Sequence, residues 1–135
     1  MSEFRKVTDE FSVAPQIDLA DIPRAAAAGF KLLINNRPDG ESPGQPPSAE
    51  VEAAARAAGM DYAYVPVAGM PTSAAVHVEM TLLAEAEGPA LAFCRSGNRS
   101  IVTWAIGQAL SGARSRADLI ALGYDAGYDL SGVLG

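Results

Sequence analysis

Seven consecutive residues, Cys94-Arg95-Ser96-Gly97-Asn98-Arg99-Ser100, combine the side chains that covalent chemistry on an anion requires. A cysteine thiolate is a nucleophile, and backbone N–H groups and guanidinium groups around it would favour the thiolate over the thiol. Gly97 allows a backbone conformation closed to other residues, and Ser100 could give its hydroxyl to the thiolate or to a departing group. Arg99 is the expected clamp on a bound anion. Arg95, directly after the cysteine, is expected to face solvent and to act only through its long-range field. With Ser96, Gly97 and Asn98 adding N–H groups, the stretch reads as nucleophile, oxyanion cradle and charge clamp together. The plainer alternative is a buried, inert cysteine. Two flanking arginines, costly to bury unpaired, argue against that alternative.

A second cluster runs from Asn35 to Glu41. Arg37 could bind another acidic portion of a substrate, and Asp39 or Glu41 could orient it or donate a proton. A surface turn rich in Pro and Gly also holds such residues with no catalytic purpose, so the residues leave both readings open. His77 has no Ser or carboxylate at triad-like spacing and reads as a helix-surface histidine. Trp104 follows the apolar pattern of Ile101, Ala105 and Ile106 and reads as core. Tyr124, Tyr128 and the tail Asp129 to Gly132 could cover a sheet edge or a subunit interface.

The elements that would hold these residues alternate. Residues 4–13 read as one or two edge strands ending at Pro15. Asp18 is the expected cap of a short helix that stops at Gly29, and 30–36 (FKLLINN) reads as a central parallel strand. Residues 37–47 carry four Pro and two Gly, so they form a loop at the carboxyl end of that strand, where open α/β sheets bind ligands. Ser48 would cap the next helix through Gly59, and 62–67 (YAYVPV) reads as a second strand. Thr72 or Ser73 would cap a third helix to about Ala86, with Val76, Met80, Leu83 and Ala84 on one face. Strand 89–93 then runs directly into the cysteine loop, an apolar helix near 101–110 follows, and 115–122 closes the pattern before the tail. Such alternation predicts a parallel sheet covered by helices in a single α/β domain over 1–135.

The bulk properties bound the function. The 135 residues carry 10 Lys+Arg against 16 Asp+Glu, a formal charge of −6, so no uniform basic surface exists for nucleic acid or anionic membrane. One Cys and one His exclude an intramolecular disulfide and leave no ligand set for a zinc site, and neither chemistry considered below needs a cofactor. The apolar stretch 101–110 is about half the roughly 18 residues of a membrane span. Residues 1–6 lack a secretory h-region, and a cytoplasmic location is expected.

CRSGNRS resembles the active-site loop of rhodanese-type sulfurtransferases, a Cys-x-x-x-x-Arg loop that cradles a cysteine persulfide. Dual-specificity and tyrosine phosphatases carry one residue more between Cys and Arg. KLLINNRPDGE, YAYVPVAGMPTSAAV, the cysteine loop and GYDLSG together resemble, over nearly the full length, the bacterial beta-lactamase hydrolase-like, phosphatase-like domain. That resemblance implies the dual-specificity phosphatase fold: a three-layer α/β sandwich with a mostly parallel sheet. Members also occur fused to persulfide-consuming metallohydrolases, which makes such an enzyme a candidate partner; oligomerisation is open. The phosphatases' general-acid Asp would fall after the strand at 62–67, where this chain has Ala68, Gly69 and Met70. Missing such an acid typically costs a phosphomonoesterase about 10² to 10⁴ in rate, whereas sulfite or a thiolate leaves unaided.

The sequence therefore ranks first a sulfurtransferase passing sulfane sulfur through a Cys94 persulfide, with a small anionic substrate such as thiosulfate. The alternative is a phosphatase acting through a Cys94 phosphocysteine, with Arg99 as clamp and Asp39 as acid. A third reading is an anion-binding module without turnover.

Overall fold

The computed structural model describes residues 3–134; Met1 and Ser2 of the leader reading and Gly135 of the tail lie outside it. Five strands form one sheet: β1 (Arg5–Thr8), β2 (Phe11–Ala14), β3 (Leu32–Asn35), β4 (Asp61–Tyr64) and β5 (Ala90–Phe93). Five helices connect or follow them: α1 (Asp21–Ala27), α2 (Ser48–Ala57), α3 (Ser73–Glu85), α4 (Asn98–Ser111) and α5 (Arg116–Ala126). The strand order is β1-β2-β5-β3-β4, with β1 antiparallel to β2 and the other pairings parallel. This is the α/β architecture expected from the alternating pattern.

Each apolar strand buries both faces, as a parallel strand between helix layers must. On one face Leu33, Leu91 and Phe93 pack against Ile22 and Ala25 of α1 and Val51 and Ala55 of α2. On the other, Leu32, Ile34, Ala90 and Ala92 meet Ile101, Trp104 and Ala105 of α4 and Leu119 of α5, with Leu82 and Leu83 of α3 alongside. Trp104 lies in this core as expected, stacked on Phe11 with ring centroids 5.2 Å apart.

Several expectations shift. β2 is an interior strand, buried at all four residues and paired to β5, so of these two strands only β1 is an edge, with β4 at the opposite side of the sheet. α1 begins at Asp21, and Asp18 does not cap it; instead Asp21 accepts a hydrogen bond from the Asp18 amide at 2.9 Å and pairs with Arg24 at 3.2 Å. Ser48 is the first residue of α2 and not its cap. Thr72 does cap α3, accepting from the Ala75 amide. α4 starts at Asn98, inside the cysteine loop, and α5 runs on to Ala126 under a Ser115 cap, absorbing Tyr124.

The parallel strands end together at one edge of the sheet, which brings the loop after β3, the residues after β4 and the cysteine loop after β5 to the same place. Leu33 is fully buried between β4 and β5, so Leu33→Ala should cost about 3 kcal/mol, read as a lower urea midpoint at unchanged slope.

Candidate active site

β5 delivers Cys94 at its carboxyl end, fully buried, and the chain turns at once into α4. The turn depends on Gly97, whose φ of +91° lies in the left-handed region; the Gly97 N–H then donates to Cys94 Sγ at 3.1 Å. The first amides of α4 have no intrahelical acceptor and point toward the same edge, the ordinary anion-binding end of a helix. Ser96 Oγ accepts from the Asn98 amide at 3.2 Å and so shapes the loop locally. Arg95 is exposed, as expected, and its carbonyl accepts from the Gln16 amide at 3.1 Å.

Tyr128, just beyond α5, buttresses the loop from beneath. Its hydroxyl donates to the Ser96 carbonyl at 2.8 Å and accepts from Arg5 Nη1 at 3.0 Å. A Cβ on residue 97 would collide with that hydroxyl, so Gly97 is required twice over, for its φ and for the space. Tyr128 thus meets Arg5 of the edge strand β1 and also supports the cysteine loop, a role that spacing gave no way to see. Tyr124, by contrast, is almost fully exposed.

Arg99 turns away from a purely anion-facing role. Nη1 donates to Glu41 Oε2 and to the Val67 carbonyl, both at 2.7 Å, and Nη2 donates to Glu41 Oε1 at 2.8 Å. The hydrogen bonds that Arg99 donates to Glu41, with the charge of Cys94 behind them, raise the Arg99 pKa. Glu41 also accepts from Arg37 Nε at 2.9 Å, and hydrogen bonds from Arg99 foremost hold its carboxyl down at about 2 against an ordinary 4.5.

Three expectations about the loop after β3 therefore change. Arg37 is buried and spends all three guanidinium nitrogens inside the protein, on Glu41, on Gln16 Oε1 at 3.0 Å and on Ser42 Oγ at 2.9 Å. It is a strut of the loop and not a substrate ligand. Asp39 Oδ1 accepts from the Ser48 amide at 2.8 Å, which caps α2 from outside, and its own amide donates to Tyr64 Oη at 2.9 Å. One of its two carboxyl oxygens is thereby engaged at the start of α2. Glu41, ionised far below neutral pH between two arginines, has no proton to give. Beyond Val67, the positions of Ala68, Gly69 and Met70 are exposed and carry no carboxylate.

Ser100 sits in the first turn of α4, fully buried, and its hydroxyl has no hydrogen-bond partner among the described residues. His77 is exposed and bound to its own helix through Ser73 O at 2.8 Å, which keeps it out of the site. Pattern reading passed over Glu79 and gave Asn36, inside the second cluster, no role of its own. Glu79 falls at i+3 from Val76 on the buried face of α3, and a carboxylate on an apolar stripe was the available signal.

Comparison with known proteins agrees with this frame. The family model "Beta-lactamase hydrolase-like protein, phosphatase-like domain" matches residues 3–111. The Beta-lactamase hydrolase-like protein of Agrobacterium fabrum is 42% identical over 126 residues, 93% of this chain but 29% of that protein, so the chain spans under a third of that relative's length. A crystal structure from Neisseria meningitidis, described as that of a candidate phosphatase, is 30% identical with a TM-score of 0.83, covering 94% of this chain and 90% of the other. Kinase associated phosphatase, solved with its catalytic site cysteine replaced by serine, shares the fold at 16% identity and a TM-score of 0.68, over 90% of this chain and 80% of its own. The solved neighbours named here are described as phosphatases, which favours the phosphatase alternative over the sulfurtransferase placed first by the loop spacing.

Asp39→Ala should lower stability by about 1 kcal/mol through the lost cap while leaving the pH profile of any Cys94-dependent turnover in place. The Glu41 shift predicts acid sensitivity of a definite sign. Its folded pKa lies below its unfolded one, so its contribution is complete above pH 4.5 and disappears as pH falls through about 2. The stability gap between the wild type and Glu41→Gln should therefore narrow across that window, as followed by thermal unfolding. The chain belongs to the beta-lactamase hydrolase-like, phosphatase-like domain family.

Proposed function

We propose that the chain is a cysteine-dependent phosphatase domain in which Cys94 attacks a phosphate ester and carries a phosphocysteine intermediate. The observation behind this reading is Cys94 Sγ at the mouth of α4, held by the Gly97 amide, in a chain whose fold neighbours include cysteine phosphatases. The amides from residue 97 onward donate hydrogen bonds to the equatorial oxygens of the phosphoryl group, and Arg99 adds charge from the rim. As the S–P bond forms, the P–O bond breaks and the electron pair leaves with the ester oxygen. Water then cleaves the S–P bond, returning the thiolate and releasing phosphate.

Among the described residues, the carboxylates of the loop after β3 are already engaged, Asp39 at the start of α2 through one oxygen and Glu41 between two arginines. Substrates with stable leaving groups, such as aryl phosphates, are the fitting class. Aryl phosphates should turn over about 10² to 10⁴ faster than alkyl phosphates, with all activity lost in Cys94→Ser. Equal rates on both classes would show that an acid exists, and turnover by Cys94→Ser would remove the cysteine mechanism.

Sulfur transfer remains the second reading on one observation, the four-residue spacing between Cys94 and Arg99 together with the missing acid. It predicts thiocyanate from thiosulfate and cyanide at a rate exceeding aryl phosphate hydrolysis. An anion-binding module predicts neither product. Activity of the longer protein to which such a domain belongs is a separate matter of its other regions.

A further inference from the structure

Arg99 is the guanidinium that acts on Cys94, and it already holds an anion. Glu41 meets it in the two-pronged arrangement that an incoming oxyanion would use, Oε2 on Nη1 at 2.7 Å and Oε1 on Nη2 at 2.8 Å. Cys94 is the second negative group acting on this guanidinium, after Glu41, through its charge and a side-chain hydrogen bond. One side chain therefore separates the carboxylate from the sulfur. Glu41 is charged at any working pH, since hydrogen bonds from Arg99 foremost hold its pKa at about 2. A third hydrogen bond, from the buried Arg37 at 2.9 Å, keeps it in place.

The charged side chains at this edge of the sheet are few enough to balance. The loop after β3 brings Arg37, Asp39 and Glu41, the cysteine loop brings Arg95 and Arg99, the segment after β2 brings Asp18, and residues 65–72 after β4 bring none. Positive and negative side chains are equal in number before Cys94 ionises. The reactive thiolate then leaves the edge with a net negative charge that only the amides of the α4 end offset. Each unit of charge on a ligand is therefore uncompensated by side chains, and its Coulomb energy with Glu41 grows in proportion to the ligand's own charge.

We infer that Glu41 is the specificity-determining residue for ligand charge: it disfavours doubly charged anions at the Cys94 loop and leaves singly charged ones as the class the site takes. The inference deepens the proposed function and rests on that reading only in placing an oxyanion over the α4 amides. Glu41 touches no reacting atom and acts through Arg99 and through space. For a phosphate ester the singly charged form prevails below a pH of about 6.

Sulfate and perchlorate test this directly, because the two tetrahedral oxyanions are near in size and differ by one charge. Each is read through its protection of Cys94 from iodoacetamide, a neutral reagent, on the full chain at neutral pH and fixed ionic strength. Glu41→Gln keeps the Oε1 that accepts from both Arg37 and Arg99 and removes the charge. Its apparent affinity should exceed that of the wild type about tenfold for perchlorate and about a hundredfold for sulfate, the second factor being the square of the first because the ligand charge is doubled. Glu41→Ala carries the same test should the glutamine variant fail to fold, and Glu41→Asp, which retains the charge, should keep the wild-type ratio between the two anions. A role confined to holding Arg99 in place would instead weaken both anions by the same factor. Equal factors for the two anions, no gain for sulfate, or no protection of the neutral variants by either anion would overturn the charge selection. The phosphocysteine is read separately with an aryl phosphate, so its absence would strike the phosphatase reading and leave this result standing.

Discussion

Glu41 accepts three hydrogen bonds from two arginines, and that small network fixes the spatial relation between the loop after β3 and the loop after β5. Parallel strands bring the two loops to one edge but do not decide their separation. Arg37, buried beneath, ties Glu41 to Gln16 and Ser42; Arg99, at the rim, ties it to Val67 after β4. One carboxylate therefore joins segments that follow three different strands. An isolated surface pair of this kind contributes about 1 kcal/mol or less, but a shared network on a partly buried arginine fork holds geometry more firmly.

The same network shapes the chemistry. An arginine already paired to a carboxylate offers an incoming anion less net charge than a free one, so the amides of the α4 end and the Gly97 turn must do most of the holding. Those amides are positioned from below by Tyr128 and Arg5, residues near the two ends of the described chain. The nucleophile loop is thus clamped by the carboxylate above and the tyrosine below, which suits a site that must present one sulfur atom in one orientation. The mixed character of its cage also explains why the acid is missing: the two nearby carboxyls serve as a helix cap and as a double arginine acceptor.

How much of this was legible in the sequence follows from range. Local signals carried well: the apolar runs of β3 and β5, the Thr72 cap, and a cysteine loop between strand and helix are set by neighbours in the chain. Long-range partners did not. Nothing near Asp39 announces that its carboxylate meets the Ser48 amide across a proline-rich loop, and nothing near Tyr128 announces Ser96, 32 positions away. Arg37 read as a ligand because its type suits anions, yet burial turned the same fork into a strut. β2 read as an edge because its segment mixes polar and apolar residues, while β1 takes the edge and leaves it covered. The order of the two chemistries rested on loop spacing, a local feature, and the 30% identical structure described as a candidate phosphatase weighs against that order.

The most direct measurement is intact-protein mass spectrometry of Cys94 after an acid quench during turnover of an aryl phosphate. The account predicts one phosphoryl group on the wild-type chain, located at Cys94, and none on Cys94→Ser. A chain that hydrolyses the ester with no trapped phosphoryl group, or that instead gains one sulfur atom from thiosulfate while leaving the ester untouched, would contradict it.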